Sequence, residues 1–318
     1  MHNIDLLVAS ICSEDQRFIL EEPMPAPLPP TLWGSHRIEW GQYTHVMGIV
    51  NVTPDSFAGD GLVHDELTEE ALVQRAVKQA QRFVAEGATL IDVGGESTRP
   101  HATAISAQQE LARVLPVIQA LHATLPQEVF LSIDTYKAEV ADKALTAGAS
   151  LLNDIWALRR DPAMASVATK HGVPVILMAN MRNASDRHEI VSDVIRFLAK
   201  SIDIALVAGI VWEHIIIDPG IGFGTTPEEN LTLLRRLGEL RALGRPILLG
   251  TSRKSTIGLV LGGLPVTERL EGTAATIALG IAQGADIVRV HDVHEMMRVV
   301  KMSDAIVRGT FTLTKPFP

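Results

Sequence analysis

The sequence predicts an α/β protein folded as a single (β/α)8 TIM barrel behind an N-terminal extension. From residue 44 onward, short apolar segments typical of strands alternate with longer amphipathic segments typical of helices. This alternation favours a parallel sheet covered by helices. The chain holds eight such units, and eight units in about 250–270 residues match the size of a closed barrel. A doubly wound open sheet is the alternative, but no Gly-x-Gly-x-x-Gly turn follows the first predicted strand.

The first 40 residues are predicted to be an extension that ends in a linker. The segment EEPMPAPLPP (residues 21–30) is rich in proline, so it forms neither a helix nor a central strand. We therefore divide the chain into residues 1–40, the extension and linker, and residues 41–318, the barrel domain. The short apolar run near the N-terminus follows no cationic segment, so we expect no signal peptide there.

Eight apolar runs are predicted as the strands of the barrel. They are rich in Val, Ile and Leu, as expected of parallel strands buried on both faces. The segment between the first two (residues 68–87) is typical of the helices. It starts with a threonine followed by glutamates, suited to a capping box, and ends at a glycine, suited to a C-cap. In chain order the strands are HVMGIVNV (45–52), ATLIDVGG (88–95), VFLSIDT (129–135), SLLNDI (150–155), PVILMAN (174–180), HIIIDPG (214–220), PILLGTS (246–252) and DIVRVHDV (286–293).

Composition and charge argue against a nucleic-acid-binding, disulfide-bonded or membrane-spanning protein. The net charge is −9, and the chain lacks the clustered Lys and Arg that mark a nucleic-acid-binding domain. A single cysteine excludes an internal disulfide. No apolar run is long enough to span a bilayer. We therefore expect a cytoplasmic protein without a nucleic-acid or membrane partner.

Nearly every predicted strand ends in a polar or charged residue. In a barrel these ends converge on one face, where active sites lie. Any single Asp or Asn there is adequately explained as a turn former, and we expect Asp92 to organise the loop GGESTRP by hydrogen bonding. The whole set is better explained as a binding site. Its members are Asn51, Asp92, Thr98, Arg99, Asp134, Asn153, Met178, Asp218, Ser252, Arg253, Lys254, Arg289 and His291.

The residue types at these strand ends suit a nitrogen heterocycle that carries an anionic group. Asp134 and Asp218 are acceptors and Asn153 is both donor and acceptor, which matches an amino-pyrimidinone edge. Lys254 can donate to the ring, and Arg289 can stack on its face. The cations and hydroxyls that suit a phosphate are His291, Arg99, Thr98 and Ser252.

Seven motifs in this order resemble the dihydropteroate synthase family. They are MGIVNVTPDSF (47–57), GGESTRP (94–100), SIDT (132–135), LLNDI (151–155), DPGIGFG (218–224), GTSRKS (250–255) and RVHDV (289–293). The resemblance implies a (β/α)8 transferase of folate biosynthesis. It would join 7,8-dihydropterin-6-ylmethyl diphosphate to 4-aminobenzoate, giving 7,8-dihydropteroate and diphosphate. It also implies a Mg²⁺ ion, a homodimer and a target for sulfonamides.

The resemblance further implies roles for the residues that match its motifs. Those implied in catalysis are Lys254, Arg289, Asp134 and Asp55, the last of which lies in the first loop. Those implied to bind the pterin are Asp134, Asn153, Met178, Asp218, Phe223, Lys254 and Arg289. Those implied to bind diphosphate are Asn51, Thr98, Arg99, Ser252, Arg289 and His291, with Asn51 also a ligand of magnesium. Those implied to bind 4-aminobenzoate are Thr98, Arg99, Pro100, Lys254 and Ser255.

The chain departs from the family's pattern at three places. His101 stands where the family usually has Gly, Thr225 where it has Lys, and Ala179-Asn180 where a His is usual. These departures keep a non-catalytic pterin-binding paralogue open as an alternative. A second alternative is a pterin-binding methyltransferase of the same fold. The methyltransferases share the pterin acids and amide, but they have no need of the STRP and SRKS motifs.

Overall fold

The computed structural model describes residues 28–53, 68–97, 103–184 and 187–311. In these ranges a short hairpin precedes eight barrel strands that alternate with helices. The strands are β1 Thr31–Trp33, β2 His36–Ile38, β3 His45–Asn51, β4 Leu90–Gly94, β5 Phe130–Asp134, β6 Leu151–Asp154, β7 Val175–Met178, β8 Ile215–Asp218, β9 Leu248–Leu249 and β10 Ile287–Val290. The α-helices are α1 Glu69–Ala85, α2 Ala107–Thr124, α3 Ala138–Thr146, α4 Met164–His171, α5 Ile190–Val207, α6 Pro227–Arg235, α7 Ser255–Val260, α8 Leu270–Ala282 and α9 Val293–Val307.

The eight strands from β3 to β10 form one parallel sheet that closes on itself. Their order in the sheet is β8-β7-β6-β5-β4-β3-β10-β9. The two edges meet at a parallel bridge between Ile217 of β8 and Ile247, which directly precedes β9. Ile217 N also donates to the carbonyl oxygen of Pro246 at 2.9 Å. The (β/α)8 barrel is thus confirmed, and the open doubly wound sheet is wrong because the sheet has no free edge at this junction.

The apolar strand runs are buried, whereas the helices bury one face only. All four residues of β8 are buried, as expected of a strand between the barrel interior and the helical layer. Thr68 caps α1 by accepting from Ala71 N at 3.3 Å. The expected capping box is wrong there, because the third helical residue is alanine and has no side chain to return the bond. Such a box forms instead at α2, between Ser106 and Gln109.

The β1–β2 hairpin packs against the amino-terminal end of the barrel. The Trp33 ring is buried, and its centroid lies 5.1 Å from that of Phe130, the first residue of β5. Thr31 Oγ1 donates to the carbonyl oxygen of Glu213 at 2.6 Å and accepts from Trp40 Nε1 at 3.0 Å. Residues 31–40, which we assigned to the extension, therefore contact the barrel. The boundary at residue 40 stays a prediction.

The helices of the described ranges include none that is both long and apolar enough to cross a membrane.

Candidate active site

Arg289 and two carboxylates form the centre of a polar cluster at the carboxyl ends of the strands. Arg289 lies in β10; its Nε donates to Asp92 Oδ2 at 2.6 Å and its Nη2 donates to Asp134 Oδ2 at 2.8 Å. Asn153 donates its Nδ2 to the same Asp92 oxygen at 2.9 Å. Four strands thus contribute to one hydrogen-bonded group, and three of its members were predicted to bind the pterin.

Asp92 is the fourth member of this group, and its place differs from our expectation. We expected it to organise the GGESTRP loop, but its bonds within the described residues run to Arg289 and Asn153. The side chain is fully buried, and its Oδ1 has no hydrogen-bond partner there. Asp92 therefore orients two predicted ligand-binding residues. The signal for this role was a charged residue in the middle of a buried strand.

The two predicted pterin acids lie where burial alters their titration. Burial raises the pKa of Asp134 to about 7, although the Arg289 guanidinium beside it lowers the value. Burial also raises the pKa of Asp218 to about 6, against the effect of Gly220 N, which donates to Asp218 Oδ1 at 2.7 Å. Carboxyl groups that titrate near neutrality are concentrated at functional sites. They can hold a ligand either as acceptors or, when protonated, as donors.

Lys254 and Phe223 form one wall of the site. Lys254 Nζ lies 4.2 Å from the centroid of the Phe223 ring. Burial lowers the pKa of Lys254 to about 8, and the positive charges of Arg289 and Arg182 lower it further. Arg182 Cζ lies 5.0 Å from the same ring centroid. An aromatic face flanked by two cations suits a flat, electron-rich ligand with an anionic substituent.

Arg182 is a residue that our sequence reasoning missed. It lies in a 3₁₀ turn, Met181–Asn183, directly after β7. The sequence signal for it is a cationic residue four positions after the end of β7, on the same face as the other strand ends.

Two glycines allow the DPGIGFG loop to place Phe223. Gly220 has φ of 73°, and a Cβ there would lie 1.8 Å from the carbonyl oxygen of Ala179. Gly224 has φ of 80°, and a Cβ there would lie 2.3 Å from the backbone nitrogen of Arg182. Both positions thus require glycine, because of the positive φ and because the turn after β7 packs directly on this loop.

The GTSRKS segment turns sharply at Arg253 and brings Ser252 next to His291, two residues predicted to bind diphosphate. Arg253 has φ of 59°, a conformation that costs a non-glycine residue about 1–3 kcal/mol. Its Nε donates to Asp292 Oδ2 at 2.9 Å, and Nη2 pairs with the other oxygen. These contacts hold the turn, which brings Ser252 Oγ to 3.0 Å from His291 Nδ1.

The other predicted residues of the described ranges also lie near strand ends. Asn51 ends β3 and is half-buried, and Met178 ends β7 and is buried. Ser255 is the first residue of α7 and is exposed. Asp55, Thr98, Arg99, Pro100 and His101 lie outside the described residues, and their roles stay predictions.

The departures at Thr225 and Asn180 have local partners. Thr225 Oγ1 donates to Asn230 Oδ1 at 2.6 Å and accepts from Gly222 N at 3.1 Å. Asn180 Nδ2 donates to the carbonyl oxygen of Ile155 at 3.0 Å. Both side chains therefore tie loops of the carboxyl-terminal face to the structure around them.

Comparison with known proteins identifies the family of this chain. A family model described as pterin binding enzyme matches residues 47–291. The chain belongs to the pterin-binding enzyme family. Among the curated members that it resembles, the dihydropteroate synthase of Clostridium beijerinckii is 48% identical over 276 residues, which cover 86% of this chain and 98% of that relative.

Solved structures of pterin-binding enzymes share the fold. Dihydropteroate synthase from Clostridium difficile, determined in the presence of pteroic acid, has a TM-score of 0.79 and 46% identity, covering 85% of this chain and 99% of its own. The Xanthomonas albilineans enzyme with 4-aminobenzoic acid has a TM-score of 0.80 and 39% identity, covering 88% and 98%. The resemblance to dihydropteroate synthase, and with it the expectation of an enzyme of the transferase class, is confirmed.

Proposed function

We propose that this pterin-binding enzyme condenses 7,8-dihydropterin-6-ylmethyl diphosphate with 4-aminobenzoate to give 7,8-dihydropteroate and diphosphate. One observation carries the proposal: the buried Asp218 and Asn153 and the partly buried Asp134 and Lys254 lie at the carboxyl ends of the strands, with the Phe223 ring beside Lys254. The relatives named above, which match over most of the chain, support it.

The pterin is held by complementary donors and acceptors. Asp134 and Asp218 accept from the ring's amino and N–H groups, and Asn153 supplies both a donor and an acceptor. Lys254 donates to the ring carbonyl or a ring nitrogen. A ligand that lacks the hydrogen-bonding edge of the pterin would leave these polar side chains without partners. The site therefore favours the pterin over such ligands.

The diphosphate is held by Ser252, His291 and Arg289. His291 N donates to Ser252 Oγ at 3.2 Å, so the hydroxyl hydrogen of Ser252 is free to donate to Nδ1 of the same histidine. Burial lowers the pKa of His291 to about 3, which keeps the ring neutral. A neutral ring that accepts at Nδ1 carries its proton on Nε2, and this N–H is the donor we assign to the leaving diphosphate.

Bond breaking precedes bond making in the proposed reaction. The C–O bond between the pterin methylene and the diphosphate breaks first, and the diphosphate takes the electron pair. The nitrogen of 4-aminobenzoate then forms the C–N bond and releases one proton. Asp134 and Asp218, when ionised, stabilise the cationic pterin that is present between these steps, because electrostatic interactions are strong in a buried site.

Magnesium fits the donor chemistry of this site when the diphosphate supplies most of its ligands. The described residues hold no cluster of three or more His, Cys, Asp or Glu side chains that could form a metal site by themselves. Mg²⁺ prefers oxygen ligands and commonly binds through substrate phosphates, water and one or two side chains. Asn51 offers an amide oxygen at the end of β3 for this purpose. When bound, the ion would neutralise charge on the leaving diphosphate.

The 4-aminobenzoate is proposed to bind against Lys254 and Ser255, with Thr98, Arg99 and Pro100 as further contacts. Lys254 thus lies between the two substrates, and the Phe223 ring is beside it. A sulfonamide that mimics 4-aminobenzoate should compete for the same place. We also propose that this place is completed by the bound diphosphate, so a sulfonamide should bind more tightly with magnesium diphosphate and 7,8-dihydropterin present.

A second copy of the chain is proposed to cover exposed apolar residues on the last helices. Leu259 of α7, Leu279 of α8 and Ile306 of α9 are 60%, 66% and 71% exposed. The helices α7 and α8 are adjacent, since a Cβ on Gly272 of α8 would lie 2.2 Å from Ile257 of α7, and α8 also contacts α9. Sedimentation should show a dimer, and Leu279→Asp should yield a monomer. A monomeric wild-type protein would contradict the proposed dimer.

We place the enzyme in the cytoplasm, where a chain with one cysteine needs no oxidising environment.

Diphosphate release tests the proposed reaction. The purified protein is incubated with pterin diphosphate, magnesium and 4-aminobenzoate, and a parallel reaction omits the protein. We expect release of diphosphate together with 7,8-dihydropteroate. Methyl transfer from methyltetrahydrofolate without diphosphate release would favour the methyltransferase, and pterin binding without turnover would favour the non-catalytic paralogue.

A further inference from the structure

The segment that follows the pterin acid Asp134 is bonded to the β6 side of the barrel. Thr135 N donates to the carbonyl oxygen of Asn153 at 3.1 Å. Three residues on, Ala138 N donates to Asp161 Oδ2 at 2.8 Å. The chain between the end of β5 and the start of α3 is therefore held at two points on this side.

The same segment is bonded to the β4 side through two side chains that reach Glu96. Glu96 lies two residues after the end of β4. Tyr136 OH donates to Glu96 Oε1 at 2.8 Å, and Lys137 Nζ donates to Glu96 Oε2. Lys137 Nζ also donates to Glu110 Oε2, in the first turn of α2. One ammonium group thus bridges the ends of β4 and β5 and the start of α2.

This bridge is a costly arrangement if stability is its only purpose. The side chains of Lys137, Glu96 and Glu110 are only 15%, 10% and 1% exposed. A single ammonium faces two carboxylates, and Glu110 Oε1 has no hydrogen-bond partner within the described residues. Removing charged groups from water often costs as much as their attraction returns, so buried ion pairs are weak evidence for a stabilising role.

The bridge lies close enough to the pterin acid to affect it. Asp134 pairs with Gly94 in the register of β4 and β5, two residues before Glu96. The negative charge of Glu110 is also among the influences that raise the pKa of Asp134. Asp134 in turn accepts a hydrogen bond from Arg289. A displacement of the end of β5 would therefore move Asp134 and disturb its contact with Arg289, and both residues are assigned to the pterin.

We propose that Lys137 is a positioning residue of the pterin site. By bridging Glu96 and Glu110, it holds the ends of β4 and β5 together and so fixes the Asp134 carboxylate in the place where the pterin meets it. This inference rests on the proposed role of Asp134 in binding the pterin. Lys137 acts through Asp134 and is not assigned a contact with substrate.

A double variant separates positioning from stability. Lys137→Met alone leaves two buried carboxylates without their cation, so we expect it to destabilise the fold. Lys137→Met combined with Glu110→Gln removes one of those charges, and its urea unfolding midpoint should return towards that of the wild type. Its affinity for 6-hydroxymethyl-7,8-dihydropterin, measured by calorimetry, should stay at least about tenfold weaker, because small displacements in a binding site are costly. Lys137→Arg, which can bridge both carboxylates, should retain the affinity.

Lys170→Met is the matched control, because Lys170 also pairs with a carboxylate, Asp142 Oδ1 at 2.7 Å, but is 63% exposed on α4. It should bind the pterin as the wild type does. A folded double variant with wild-type affinity for the pterin would overturn the positioning role, whatever its unfolding midpoint. Absence of pterin binding by the wild-type protein would overturn the proposed function, and this inference with it.

Discussion

The two ends of the barrel differ in how the buried carboxylates of Asp304 and Asp92 are hydrogen-bonded. At the amino-terminal end, Thr44 N and Oγ1 each donate to Asp304 at 2.7 Å, and Arg308 Nε donates to Asp304 Oδ1 at 2.9 Å. Both oxygens of the Asp304 carboxylate thus accept hydrogen bonds from other residues of the protein. At the carboxyl-terminal end, one buried oxygen of Asp92 has no hydrogen-bond partner within the described residues, and burial raises the pKa of Asp134 to about 7 and that of Asp218 to about 6.

We infer from this difference that the amino-terminal carboxylate serves stability and that the carboxyl-terminal carboxylates serve the proposed ligand site. A buried polar group with internal partners favours the folded state modestly, whereas one without them is costly. The carboxyl-terminal end also holds the strained backbone of Arg253, and such strain persists only where surrounding contacts impose it. The amino-terminal end instead gains the apolar contact between Trp33 and Phe130. Substitutions at the two ends should therefore change different properties.

The largest expected effect is on stability, at the amino-terminal end. Trp33→Ala should lower the free energy of unfolding by about 3–5 kcal/mol, the usual cost of truncating a buried Trp or Phe. Turnover per folded molecule should not change. Leu32→Ala is the control, because Leu32 lies in the same strand but is 51% exposed, and it should cost much less. Loss of turnover in folded Trp33→Ala would break the division between the ends.

The next largest effect is on turnover, at the carboxyl-terminal end. Lys254→Met keeps the length of the side chain but removes the buried ammonium group. It should lower kcat/KM for pterin diphosphate at least about a hundredfold, or about 2.7 kcal/mol. The free energy of unfolding should be unchanged or higher, because a buried charge is lost. Lys200→Met, on the exposed face of α5, should behave as the wild type. Full activity of Lys254→Met would remove the residue from the site.

A smaller effect concerns the pH dependence of stability. Asp218 has an ordinary pKa of 3.8, which burial raises to about 6 in the folded protein. Between these values the folded state holds a proton that the unfolded state has released, so this group's contribution to stability is complete below pH 3.8 and is lost as the pH rises through about 6. Asp218→Asn should abolish this loss, so its stability relative to the wild type should increase from pH 4 to pH 7 in urea unfolding.

Asp142→Asn should show the opposite pH trend in stability relative to the wild type, measured in the same way. Hydrogen bonds from Lys170 and His171 lower the pKa of Asp142. Its stabilising contribution is therefore present above its ordinary pKa and is lost on acidification. The Asn variant should be slightly less stable than the wild type at neutral pH, and this gap should close as the pH falls. The same trend in both variants would contradict the contrast between the two environments.

The smallest effect is expected from removing residues 1–30. None of the assigned substrate-binding residues lies in this segment, and the truncation ends before the β1–β2 hairpin. It should lower the stability more than it lowers turnover per folded molecule, and less than Trp33→Ala does. A folded truncation without activity would place the extension in the active site.

The sequence predicted the barrel and most of the site because both follow from local patterns. Apolar runs that end in polar residues mark the carboxyl-terminal face directly, so Asp134, Asn153, Asp218, Lys254 and Arg289 could be named before any contact was known. The β1–β2 hairpin could not, since its strands have three residues each and follow a proline-rich segment. The bonds of Asp92 to Arg289 join residues 197 positions apart, and no local pattern carries that information.

The central claim, that the carboxyl-terminal acids hold the pterin, is tested most directly by calorimetric titration with 6-hydroxymethyl-7,8-dihydropterin. The wild type, Asp134→Ala and Asp218→Ala are compared after unfolding curves have shown that each is folded. Each alanine leaves ligand donors unpaired at a cost of about 1–3 kcal/mol, so both variants should bind at least about tenfold more weakly than the wild type. Unchanged affinity in both folded variants would contradict the claim and remove the two acids from the site.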